Sequence, residues 1–219
     1  MAKFKAACFD VDGLLVDSEP LHFEAERRVL ERHGVEFTPE AKAEFVGVPL
    51  VDVAKGLTKR YGLPSAERFH VERTLVFNEM VVSQLQLRPG VADLLERLRT
   101  QKILCAIVSS GERAYVEQVV RRFSLAQQFQ AIVTLDDVKE HKPAPEPYLK
   151  ASTQFGLPPA DCVGFEDSLT GAASVKAARM YCIAVPSSAT EHVDLSIADE
   201  ILESLADIDD TVFERLFGG

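Results

Sequence analysis

Short apolar, largely β-branched runs recur along the chain: KAACFDV (5–11), KILCAIVSS (102–110), QAIVTL (130–135), DCVGFED (161–167) and MYCIAVP (180–186). Each has the length of a strand and is apolar at consecutive positions, as strands covered on both faces are. Between them GVADLLERLRTQ (90–101), GERAYVEQVVRRF (111–123), APEPYLKASTQFG (144–156) and SLTGAASVKAAR (168–179) repeat apolar positions at a spacing of three to four, which predicts helices. Gly34 and Gly156 read as helix stops. Strands alternating with helices predict a parallel sheet with right-handed crossovers, a doubly wound, Rossmann-like α/β core.

From about Glu19 to Leu87 the alternation stops and the pattern is helical only, punctuated by Gly34, Pro39, Gly47, Gly62 and Pro64. The stretch is too long for a crossover and predicts a small inserted all-helical domain over 18–87, with the α/β core formed by 1–17 and 88–219. Parallel sheets bind ligands at the carboxyl ends of their strands. An insertion right after the first strand is therefore expected to act as a cap, moving about linkers near Asp17–Pro20 and Leu85–Gly90.

Composition narrows the class. The 219 residues are 47% hydrophobic and 26% charged, a globular balance with no low-complexity tract. No run approaches the roughly 18 apolar residues of a membrane span, and the N-terminal MAKFKAACFD meets an acid too early for a signal peptide; a cytoplasmic protein with no membrane partner is expected. The net charge of −10, spread without a basic stripe, argues against nucleic acid. Cys8, Cys105, Cys162 and Cys182 sit singly in apolar runs, as buried reduced thiols do.

Polar residues at the strand ends carry the candidate chemistry. The first strand ends in Asp10 and Asp12, the second in Ser109 and Ser110, and the fourth in Glu166 and Asp167; Lys142 follows the third, before a proline. Gly13 permits a tight turn that aims Asp10 and Asp12 at one centre. So many carboxylates cannot crowd together ionised without compensation, and a hard cation such as Mg²⁺ supplies it. A lysine and a hydroxyl beside a carboxylate nucleophile suit a phosphate: the lysine screens its charge and the hydroxyl orients one oxygen. The constellation points to phosphoryl transfer onto aspartate.

The stretches FDVDGLLVDSEP, IVSSGE, HKPAPEPYL and GFEDSLTGAASVKAARM resemble, in order, the four motifs of the haloacid dehalogenase-like hydrolase superfamily, in the subgroup of sugar-phosphate phosphatases and β-phosphoglucomutase. The resemblance implies that Asp10 is the nucleophile and forms a phosphoaspartyl intermediate. It implies that Asp12 protonates the leaving oxygen and then deprotonates water, that Ser109 binds phosphoryl oxygens with backbone N–H groups near Gly13 and Ser110, and that Lys142 bridges Asp10 and the phosphate. Mg²⁺ would be held by Asp10, the Asp12 carbonyl and Asp167, with Glu166 as a second acid, directly or through water.

Other polar residues have plainer readings. Asp17 and Ser18 are expected to cap the first helix of the insertion; Ser110 is either a phosphate ligand or the start of the next helix. Pro143, Pro145 and Pro147 stiffen the loop around Lys142 and open a helix. Gly171 and its neighbouring alanines are expected to let a helix pack closely on the sheet. His33, His70 and His192 read as surface residues. His22, in DSEPLH, stands where the resembled mutases and many of the phosphatases carry a substrate-touching histidine.

Within the resemblance, Asp12 argues against dehalogenases and phosphonoacetaldehyde hydrolases, which lack that acid. A mutase carries a basic residue soon after the Gly-Val matching Gly47-Val48; here Pro49-Leu50-Val51-Asp52 follows, with no arginine, and Lys55 and Lys59 come a turn or more later. Hydrolysis of a small phosphorylated metabolite by a monomer is the leading expectation, a mutase the second. A non-catalytic sensor of a phosphorylated metabolite is disfavoured because sensing needs neither nucleophile nor acid.

Overall fold

The structure, a computed structural model, describes residues 4–45, 48 and 50–218. The chain divides into two units, Met1–Asp17 with Gln86–Gly219, and Ser18–Leu85. The first is an α/β unit around a parallel sheet of β1 (Ala6–Phe9), β2 (Leu104–Val108), β3 (Ala131–Val133), β4 (Cys162–Glu166), β5 (Tyr181–Ala184) and β6 (Glu200–Ile201), in the order β3-β2-β1-β4-β5-β6. The order reverses between β1 and β4, so the sheet opens a crevice at the carboxyl ends of these two strands, where open α/β folds place ligands.

The second unit carries α1 (Glu19–Arg32), α2 (Pro39–Ala43), α3 (Leu50–Tyr61) and α4 (Ala66–Gln84). The α/β unit carries α5 (Val91–Thr100), α6 (Arg113–Arg122), α7 (Glu146–Phe155), α8 (Leu169–Ala177) and α9 (Asp210–Phe217). Alternate strand residues divide between the two faces of the sheet. Ala6, Cys8, Ala106, Val108, Cys162 and Cys182 pack with Tyr148 and Ala151 of α7 and Ala172 and Val175 of α8. At odd positions Phe9 stacks on Phe165 across β1 and β4, with ring centroids 4.9 Å apart; each buried ring contributes about 1.5–3 kcal/mol. Gly164 lets α8 approach: a Cβ there would lie 2.7 Å from the Val175 methyls.

The five expected strands form, shorter than their apolar runs, and β6 and α9 are additions. The β6 segment is two residues beside an acidic stretch and has no pattern of its own. The α9 helix does have one, with Asp209 capping Val212 N–H at 2.8 Å and Phe213, Leu216 and Phe217 buried at helical spacing. Ser18 stands at the N-cap of α1 without a side-chain capping bond, so the expected cap is not made; Pro in the first turn starts that helix instead. All four cysteines are free and buried, and His70 is half-buried rather than on the surface. Gly47 and Pro49 lie outside the described residues. Among the described residues no helix is long and apolar enough to cross a membrane.

Candidate active site

Asp10 follows β1 directly, Glu166 ends β4 and Asp167 follows it, which puts three acids at the switch point of the sheet. One carboxylate oxygen from each lies within 4.8 Å of the others. Asp10 is 8%, Glu166 0% and Asp167 7% exposed, so water compensates little of their charge. The compensation within the chain is Lys142, whose side chain is 6% exposed. Its Nζ donates to Asp10 Oδ1 at 2.6 Å, to Glu166 Oε1 at 2.5 Å and to the Val108 carbonyl at 2.8 Å, which uses all three of its protons.

The electrostatics follow from this crowding. Burial pushes the Glu166 carboxyl up to about 7, against the pull of Lys142 and with a push from Asp10. Burial, then the charges of Asp10 and Glu166, lifts Asp167 well above the usual carboxylate range. Burial alone would lower Lys142, but Asp10 and Glu166 more than offset it and hold the ammonium charged. Three buried carboxylates facing one lysine form an under-neutralised, all-oxygen donor set. That set fits a hard divalent cation held by Asp10, Asp167 and Glu166.

Local structure explains how such a cluster is held. Glu166 shares the sheet face of Cys162 and Gly164, so it points under α7 and α8. There the Tyr148 hydroxyl donates to Glu166 Oε1 at 2.5 Å. The first turn of α8 meets the other side of the carboxylate at Gly171, where any Cβ would overlap it. Gly13, at φ +77°, likewise leaves the space that Asp167 Oδ2 occupies. Arg88 pins the turn after β1 by donating to the Gly13 carbonyl and, at 2.9 Å, to the Pro186 carbonyl. Thr190 Oγ1 donates to the Asp167 carbonyl at 2.7 Å.

Asp12 lies two residues past Asp10 in that turn, half-buried, and accepts the Tyr115 hydroxyl at 2.6 Å. Ser109 follows β2, is 4% exposed, and its Oγ accepts the Gly111 N–H at 2.9 Å. Ser110 is exposed and precedes Glu112, the N-cap of α6, so it does not start that helix. His22 belongs to the helical unit, where it stacks on Phe77 with centroids 4.2 Å apart and meets the Arg73 guanidinium through Nδ1. Burial first, then the charges of Arg73 and Lys42, holds its imidazole well below the ordinary histidine value. Glu26 and Lys42, paired at 3.0 Å, complete a buried charged group there.

Tyr148, Tyr115, Arg88 and the space at Gly171 were not singled out from sequence as parts of the site. Tyr148 stands in the quoted HKPAPEPYL stretch, six residues past Lys142, where a polar tip among apolar neighbours was the available signal. Tyr115 and Arg88 sit in a helix and a linker with no distinguishing pattern.

A family profile described as "Haloacid dehalogenase-like hydrolase" matches residues 7–185. The phosphorylated carbohydrates phosphatase of Thermotoga maritima is 35% identical over 185 residues, covering 81% of this chain and 84% of that one. Hexitol phosphatase B of Escherichia coli K12 is 32% identical over 208 residues, covering 93% of each chain. CbbY from Rhodobacter sphaeroides, solved in complex with phosphate, matches with a TM-score of 0.81 and 29% identity, covering 94% of this chain and 96% of that one.

Proposed function

Because the chain belongs to the haloacid dehalogenase-like hydrolase family, we propose that it is a Mg²⁺-dependent phosphatase that hydrolyses a small phosphomonoester, a sugar, sugar-alcohol or sugar-acid phosphate, by way of a phosphoaspartyl intermediate on Asp10. The observation that carries this reading is Lys142 bridging Asp10 and Glu166, at 2.6 and 2.5 Å, beside the third carboxylate of Asp167. A structural salt bridge needs one acid for one lysine. A surplus of buried carboxylates is costly in a ground state and useful only with cations and a phosphate in place.

Asp10, Asp167 and the Asp12 carbonyl, with Glu166 directly or through water, would hold Mg²⁺, which would supply charge to neutralise the phosphoryl oxygens. Asp10 attacks phosphorus through a carboxylate oxygen while the bond from phosphorus to the ester oxygen breaks, and Asp12 gives that oxygen a proton. Asp12, now ionised, takes a proton from water as the water oxygen attacks phosphorus; the bond to Asp10 breaks and inorganic phosphate leaves. Lys142 screens the charge between Asp10 and the phosphoryl group, and Ser109 with backbone N–H groups near Gly13 and Ser110 orients its oxygens. The relatives' names, carbohydrate and hexitol phosphatases, support the substrate class. The stretch Pro49-Leu50-Val51-Asp52 after Gly47-Val48 holds no basic residue, which favours hydrolysis over a mutase's second phosphate contact.

The test is phosphate release from a panel of sugar, sugar-alcohol and sugar-acid phosphates with and without Mg²⁺, alongside isomerisation of β-glucose 1-phosphate. Mg²⁺-dependent release without isomerisation supports the reading. Isomerisation in preference to release would replace it with the mutase, and binding without turnover by a sensor.

A further inference from the structure

The Tyr115 hydroxyl donates to Asp12 Oδ1 at 2.6 Å, joining the third residue of α6 to the turn after β1. Gly111 leaves room for the ring: a Cβ at that position would lie 3.0 Å from Tyr115 Cδ1 and 3.2 Å from Ser109 Oγ, close enough to press on both. The ring therefore passes beside the phosphate-binding serine on its way to the acid. The ring is half-buried, and its hydroxyl is donated to Asp12.

We propose that Tyr115 is a positioning residue for proton transfer: its hydroxyl fixes the rotation of the Asp12 carboxyl and so aims the proton at the leaving-group oxygen. This rests on the reading of Asp12 as acid and base given above. A phenol suits the task because its O–H donates to Asp12 Oδ1 both when the carboxyl is ionised and when its proton sits on the other oxygen, so the contact survives both states Asp12 passes through and leaves that proton free to face the ester oxygen. A lysine or arginine there would favour only the ionised form.

The experiment compares two substrates that differ only in a nitro group. The leaving phenolate of phenyl phosphate has the basicity of a tyrosine side chain, with a pKa of about 10, and needs a proton as it departs. The p-nitrophenolate is far less basic and leaves without one. kcat/KM reports the steps through phosphoryl transfer to Asp10, so a misaimed acid lowers it for phenyl phosphate and spares p-nitrophenyl phosphate.

For Tyr115→Phe, which keeps the ring beside Gly111, kcat/KM is expected to fall about tenfold on phenyl phosphate and less than about threefold on p-nitrophenyl phosphate. Asp12→Ala shows the same selectivity with a larger loss, and adding Tyr115→Phe to it costs nothing further. Equal losses of Tyr115→Phe on both esters, or none on either, overturn the proposal while Asp12→Ala keeps its leaving-group dependence. If Asp12→Ala itself loses equally on both esters, the acid role of Asp12 falls and the proposal falls with it.

Discussion

Replacing Gly171 with alanine sets two effects of opposite sign against each other. Alanine is the better helix former, by about 1 kcal/mol in a helix interior and by less in the first turn of α8, and propensity alone predicts a small gain. The structure predicts a loss. A Cβ on Gly171 would overlap both oxygens of Glu166, a residue 0% exposed. The carboxylate cannot simply swing aside, because Lys142 Nζ and the Tyr148 hydroxyl each hold Oε1 at 2.5 Å. Moving it far enough to break both bonds costs about 1.5–3 kcal/mol for each. Shifting α8 instead costs about 1–3 kcal/mol of overpacking. The cheaper route sets the outcome, so we expect net destabilisation of about 1–3 kcal/mol, read as a lower urea midpoint at unchanged slope. Moving Glu166 would also displace Lys142 from Asp10, where a misplacement near 1 Å costs about 100-fold in kcat/KM on p-nitrophenyl phosphate, whereas shifting α8 leaves the Lys142 bridge in place and lowers stability alone. In a Glu166→Ala background the overlap is gone, and Gly171→Ala becomes neutral or slightly stabilising. A Gly171→Ala protein as stable and as active as wild type would refute this reasoning.

Tyr148→Phe removes one donor from Glu166 and is expected to cost about 1–3 kcal/mol of stability, with a smaller loss of activity than Lys142→Met. Lys142→Met leaves Asp10 and Glu166 without their shared cation and is expected to lower kcat/KM by at least about 100-fold; retained turnover contradicts the bridging role. Because burial raises Glu166 to about 7 and lifts Asp167 as well, Mg²⁺ must displace protons to bind. The Mg²⁺-induced rise in Tm is therefore expected to be larger at about pH 7.5 than at about pH 5.5, and an equal rise at both contradicts it. His22 has a folded value lowered by burial and by the charges of Arg73 and Lys42. Below about pH 6.5 the unfolded chain takes a proton that the folded one refuses, so this contribution to stability is lost as pH falls. In an NMR titration the His22 ring is expected to take up its proton at a pH well below the ordinary histidine value; a midpoint near 6.5 contradicts the burial.

The sheet was legible because strands covered on both faces announce themselves as apolar runs, and their ends then located Asp10, Ser109 and Glu166. The supports of the site were harder to read, for a physical reason. Tyr148 and Tyr115 act through one terminal atom, and such a contact depends on where two helices pack. Gly171 was read as a packing residue, which is half of its role. The missing side chain makes room for a carboxylate on the adjoining strand, a relation that no spacing within α8 encodes. β6 escaped because two residues cannot show a period, and Ser18 misled because proline already starts α1.

The central claim is that Asp10 takes the phosphoryl group. Turnover of p-nitrophenyl phosphate with Mg²⁺ can be quenched in acid, digested and searched by mass spectrometry for a peptide heavier by one phosphoryl group. The account predicts that group on Asp10, labile to hydroxylamine, and its disappearance together with turnover in Asp10→Asn. Phosphate release undiminished by Asp10→Asn, or a phosphoryl group on another residue, would contradict it.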